Sequence, residues 1–248
     1  VVLSRRPADQ PALAAACLKR ERIRTLVLEK PPAPTPAASR ALLDALRASG
    51  RGFRIAFTFR HTGWGRSLLR DGEPRETDEW RIDWLFQAHH YRHGLANWKR
   101  LHSLGGGALR FYGVHLVALL AEIGYRRVEA SRFSGTEPDE VEKWEAVFSG
   151  EGLPRCRVRV DTRSDEALFR VAAVSAQGTS REVCRMGEPF AGIAAPPALR
   201  AFDPRAVLLS ELCRDVLDGD GIGCGWYESA LALWAGAEEK ANPGEPTL

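Results

Sequence analysis

The chain has 248 residues, 44% hydrophobic and 27% charged, with a formal net charge of +3. That size suits one large globular domain or two small ones, and the charge, spread as arginines among acids, does not form a stripe that would track nucleic-acid phosphates. The longest apolar stretch, Gly113 to Ile123, is broken by His115 and Glu122, so no membrane span is expected, and Val1 to Gln10 lacks the apolar core of a signal peptide.

In chain order, Val1 to Leu3 is a short apolar run. Pro11 to Lys19 reads as a helix with Asp9 as its cap. Leu26 to Leu28 reads as a strand, and Thr35-Pro36 opens a helix through Ala48 that Gly50 ends. Arg54 to Phe59 is a third strand. This alternation predicts a parallel α/β sheet. A join near Phe59 to Gly65 then leads into a different rhythm. Gly105 begins a glycine loop that enters a long, apolar helix. Arg126 to Phe133 reads as a strand and Pro138 to Phe148 as a helix capped near Thr136. Arg155 to Thr162 alternates strictly, with Cys156, Val158 and Val160 on one face and three arginines on the other, which predicts an antiparallel strand with one wet face. Leu168 to Val174 and Arg181 to Arg185 read as its neighbours, and two amphipathic helices within 203–241 close the chain. The expected class is therefore α/β plus α+β: a truncated Rossmann-like parallel sheet, then a mixed or antiparallel open sheet with packed helices. The boundary divides residues 1–60 from 61–248.

The five cysteines (Cys17, Cys156, Cys184, Cys213, Cys224) form no C-x-x-C pair and fit free thiols in a reducing cytoplasm. Residues 87–93, "QAHHYRH", place His89, His90 and His93 together, but no cysteine or carboxylate nearby completes a zinc set, and no metal is expected. Trp80, Trp84, Tyr91 and Trp98 are either aromatic platforms for a ligand or simply core. No G-x-S-x-G elbow points to hydrolysis.

Lys30 stands at the exit of the second strand, followed by Pro31 and Pro32. Ligands of open parallel sheets bind beyond the carboxyl ends of the strands, and Pro31 biases the lysine to extended backbone. Such a lysine is either a proton donor to a substrate oxygen or a solvated residue in a proline-rich turn. The combination goes further. Glu29-Lys30-Pro31, Arg60, Trp98-Lys99, Gly105-Gly106-Gly107 and Gly113-Val114-His115 follow one another in an order and spacing that resembles the glucose-fructose oxidoreductase, inositol dehydrogenase and rhizopine-catabolism family (Gfo/Idh/MocA), from Val1 to about Ala241.

The resemblance implies a Rossmann domain that binds NAD or NADP and hydride transfer to or from a sugar, polyol or related small hydroxy compound. It implies Lys30 and His115 as catalytic residues, with His115 exchanging a proton near neutral pH. It implies Ser4, Pro7, Glu29, Lys30, Pro31, Trp98 and Lys99 at the cofactor. Arg60, Tyr91, Phe111 and His115 would face the substrate, and the Lys30-Pro31 peptide is often cis in such proteins. Members often pair through the open sheet; Arg155, Arg157 and Arg159 there tell against a dry homo-oligomer face and leave a salt-bridged one open.

Three departures accompany the match. The family's aspartate, four residues before the histidine, is here Phe111; Tyr112 either supplies a phenolic proton instead or is a packed aromatic. Lys99 replaces the usual arginine and loses its planar fork. No strand runs into a G-x-G-x-x-G loop, and the densest glycine cluster, Asp218 to Trp226, follows a helix and reads as an interhelical loop. The cofactor site is thus incomplete, on the order of 60 to 70 upstream residues are expected at about 30 per strand-helix-strand unit, and Val1 reads as a cut. A non-catalytic family member that binds a small ligand or a protein partner is the competing reading.

Overall fold

The structure, a computed structural model, describes residues 1–70, 78–193, 203, 205–218 and 225–241. Three parallel strands open the chain: β1 (Val2–Leu3), β2 (Thr25–Leu28) and β3 (Gly52–Ile55), linked by α1 (Gln10–Leu18) and α2 (Pro36–Ala48). Thr35 caps α2 as expected, its Oγ1 accepting from Ala38 N at 3.2 Å, with Pro36 inside the first turn. Asp9 makes no side-chain cap; α1 is instead fixed through Gln10, fully buried, whose Nε2 donates to Glu29 O and Pro31 O. β3 ends earlier than expected, and Thr58–His61 forms a 3-10 turn.

After α3 (Gly63–Arg70), β4 (Glu79–Gln87) and α4 (His89–Arg92), the chain enters the core helix. That helix begins as a π-helical segment, Ala108–Gly113, and continues as α5 (Val114–Ile123). His102–Ile123 is apolar enough for a membrane span, yet 83% of its most apolar window is buried within the protein, which makes it a core element. β5 (Arg127–Ser134), β6 (Lys143–Ser149), β7 (Arg155–Asp161), β8 (Arg163–Val174) and β9 (Ser180–Met186) follow. α6 (Arg205–Asp218) and α7 (Trp226–Ala241) close the described chain. The cluster from Asp218 to Trp226 lies mostly outside the described residues.

Two expectations are corrected here. The helix expected over Pro138 to Phe148 does not form: residues 138–142 are turn and irregular backbone, and Lys143–Ser149 is β6, with Trp144, Ala146 and Phe148 buried and Lys143 and Glu145 exposed. β7 does not neighbour β8: the second sheet runs β5-β6-β7-β4-β8-β9, with β4 parallel to β7 and antiparallel to β8. β4 is the central strand, and its Trp80, Ile82 and Trp84 align with Cys156, Val158 and Val160 on the packed face. The opposite face carries paired charges. Asp83 accepts from Arg159 at 3.0 Å and from Arg170 at 2.6 Å.

One apolar cluster runs from Leu3 and Leu28 through Val117 to Trp144, Phe169 and Trp234. The two sheets therefore share a continuous core, and the change of rhythm is a change of topology. Gly113 lies at the centre of this packing. A Cβ there would sit 2.5 Å from the ring of Trp144, so only glycine lets the helix approach the second sheet this closely.

Candidate functional site

A cavity of about 390 Å³ opens at the carboxyl ends of β2 and β3. Trp84, Phe111, Tyr112, Phe190 and Leu209 wall it, while Glu29, Thr58, Asp203 and Arg205 edge it. Lys30 and His115 both face it.

Lys30 reaches the cavity from a rigid exit. Gln10 clamps the carbonyls of Glu29 and Pro31, Pro31 and Pro32 are buried, and the Lys30-Pro31 peptide is cis. The amine donates to Phe111 O at 2.5 Å and lies 4.1 Å from the centre of the Phe111 ring. No carboxylate is in ion-pairing distance of Lys30 among the described residues. Burial lowers its pKa from 10.5 to about 8; Lys99 and Arg205 push it down further and Glu29 pulls it back up.

His115 is buried, stacked on Phe59 at 4.7 Å, with Phe57 edge-on. Its Nδ1 has no hydrogen-bond partner. Burial, with the charge of Lys30 added, holds its pKa well below 6.5. Both influences favour the neutral imidazole. Tyr112 packs edge-on against Trp84, Phe86 and Phe111, and burial pushes its phenol pKa up. It is a packed aromatic that also lines the cavity.

The other predicted positions divide. Phe111 and Glu29 line the cavity with Lys30 and His115. Trp98 and Lys99 lie behind it, Trp98 edge-on to Phe111 and the Lys99 amine 5.3 Å from the same ring. Pro7 is buried beneath Gly105, and Ser4 is exposed. Arg60 does not line the cavity: it bridges Glu122 at 2.8 Å and Asp215 at 3.3 Å. Tyr91 is also elsewhere, donating to Glu140 with Arg100 and Arg163 over its ring. The sequence reading missed Thr58, Phe190, Asp203, Arg205 and Leu209. Nothing local marks them, because α6 and the segment after β9 reach the cavity only through the fold. His90 is buried in α4 and the rings of His89 and His93 lie 4.4 Å apart, and among the described residues no group of three potential ligands gathers to hold a metal.

A dinucleotide would need two things here: space for its reactive ring and donors for its pyrophosphate. The cavity supplies the first, with the His115 imidazole and the Lys30 amine at the strand ends. The second is missing among the described residues, since β1 leads to α1 through Ser4-Arg5-Arg6-Pro7 without glycine. Gly105 to Gly107 cannot substitute. A Cβ at Gly106 would lie 2.4 Å from Trp98 O, so that loop is packed against protein and leaves no phosphate cradle.

No sequence-family model matches the chain, and no curated protein matches it. Solved structures do share its fold. The WlbA dehydrogenase of Bordetella pertussis, solved with NADH and UDP-GlcNAcA, is 14% identical with a TM-score of 0.68, covering 96% of this chain and 77% of that one. Levoglucosan dehydrogenase, solved with NADH and levoglucosan, is 15% identical with a TM-score of 0.69, covering 97% and 78%. GenD2 from gentamicin A biosynthesis, solved with NAD, is 15% identical with a TM-score of 0.68, covering 96% and 76%. The chain thus has the two-sheet fold of a group of NAD-binding oxidoreductases.

Proposed function

We propose that this chain acts as a Gfo/Idh/MocA-type oxidoreductase that moves a hydride between a nicotinamide cofactor and the carbinol carbon of a sugar, polyol or related hydroxy compound. The observation that carries this reading is the convergence of Lys30 and a neutral His115 in one cavity, at the strand ends where parallel sheets place ligands. On this reading residues 1–60 belong to the dinucleotide-binding domain and residues 61–248 to the substrate domain. Glu29, Lys30, Pro31, Trp98 and Lys99 would help hold the nicotinamide cofactor, which would supply the hydride chemistry.

The chain's own residues handle the proton and the substrate. Lys30, released from Phe111 O, donates a hydrogen bond to the reacting oxygen and stabilises negative charge there. His115 accepts the carbinol proton in the oxidation direction and returns it in the reduction direction. The aromatic walls exclude water and present flat apolar faces to the substrate. The free state of the four described cysteines suits a reducing compartment. Copies of the chain would pair over the charged face of the second sheet.

One observation favours a second reading, ligand binding without turnover: Phe111 stands where the resemblance places an aspartate, and its carbonyl holds the Lys30 amine. The two readings separate in one assay. Nicotinamide consumption with a panel of sugars and polyols that is lost in Lys30→Met supports the oxidoreductase. Ligand binding with no consumption by the wild-type chain supports the binder.

A further inference from the structure

Lys30 is an uncommon lysine for reasons of placement. It stands in a cavity whose walls are Trp84, Phe111, Tyr112 and Phe190, and among the described residues its amine touches a neutral carbonyl and a ring face. The other cation on this cavity, Arg205, is neutralised by Asp203. The imidazole of His115 lines the same space. An amine that is desolvated, lacks a counter-ion and lies next to a neutral base is the arrangement that makes lysine a nucleophile. We propose that Lys30 captures the carbonyl carbon of a small aldehyde or ketone as a Schiff base within this cavity, an activity that requires no nicotinamide.

The step balances without a redox partner. The amine lone pair forms a bond to the carbonyl carbon, and the C=O π pair moves to oxygen. One N–H proton passes to that oxygen to give the carbinolamine. His115 takes the second N–H proton and delivers it to the hydroxyl, which leaves as water while the nitrogen lone pair closes C=N. Both amine protons end in the water, and the apolar walls favour its departure. The groups that face Lys30 set its availability: Lys99 and Arg205 add to burial in lowering its pKa, and Glu29 opposes them. Capture should accordingly rise as pH passes about 8.

The test uses the full chain, benzaldehyde and cyanoborohydride, with no nicotinamide present. The chain has five lysines, so each site is read by peptide mass mapping. Lys30 should be benzylated about tenfold or more faster than the exposed Lys19 and Lys240, since each unit of lowered pKa raises the free-amine fraction about tenfold. Lys30→Arg, which keeps the charge and a donor to Phe111, should abolish the labelled peptide. His115→Gln should slow labelling at Lys30 and leave Lys19 unchanged. Labelling of Lys30 no faster than Lys19 and Lys240 in the wild-type chain would overturn the proposal, and this comparison needs no variant to fold. That failure would leave hydride transfer untouched, because the assay contains no cofactor.

Discussion

The cavity at the ends of the parallel strands and the outer face of the six-stranded sheet hold similar side chains under opposite conditions. On the sheet face, charges come in partners: Asp83 with Arg159 and Arg170, Glu79 with Arg81 and Arg157, Glu129 with Arg155. The arginines there are largely exposed, so each pair adds little to stability. In the cavity, among the described residues, Lys30 is in ion-pairing distance of no carboxylate and His115 Nδ1 has no hydrogen-bond partner. The lesson is that chemistry concentrates where the fold withholds partners. Arg60 supports this from the other side, since Glu122 and Asp215 occupy it and it takes no part in the cavity.

The largest effect that would break the contrast is on turnover. Lys30→Met should reduce nicotinamide-dependent kcat by roughly 10²–10⁴, the usual range for a positioned acid or base, with KM little changed, as steady-state assays would read. The next largest lies in packing between the two regions. Trp144→Ala should cost about 3–5 kcal/mol and Gly113→Ala about 1–3 kcal/mol, measured by urea denaturation. Equal stability of Gly113→Ala and wild type would show that the helix can back away from Trp144 without loss.

A pH experiment sharpens the comparison further. Folding lowers the Lys30 pKa to about 8 from 10.5, so between these values the unfolded chain holds more protons. Stability should therefore climb with pH across that window and fall away as pH drops through about 8. Lys30→Met should flatten that slope and be more stable than wild type at neutral pH. The smallest effect belongs to the sheet face. Asp83→Asn should cost about 1 kcal/mol or less at low salt and lose even that at high salt.

The parallel half of the fold was legible because its signals are local: Thr35-Pro36 starts α2, and apolar runs mark β2 and β3. The second half was less so. Glu79 to Gln87 alternates, but its tryptophans invite a reading as ligand platforms, and no turn signal marks the strand as central. Pro138 to Phe148 is rich in helix-forming glutamate and lysine, and burial of Trp144 and Phe148 against the core overrides that propensity. Within the site, Lys30, His115, Glu29 and Phe111 were legible from motif order. Their contact was not. The sequence spacing predicts Phe111 and His115 on one α-helical face, whereas Ala108–Gly113 is π-helical and the Phe111 carbonyl meets the lysine amine. Asp203 and Arg205 arrive from a distant helix, and no spacing rule anticipates them.

The claim beneath all of these expectations is that Lys30 lies desolvated and without a counter-ion in the cavity. Carbon-13 NMR of the lysine side chains, followed through pH in the wild-type chain and in Lys30→Met, tests it without assuming a substrate. The account predicts one resonance titrating near 8 that vanishes in the variant. All five lysines titrating near 10.5 would contradict it, and Lys30 would then be a solvated residue in a proline-rich turn.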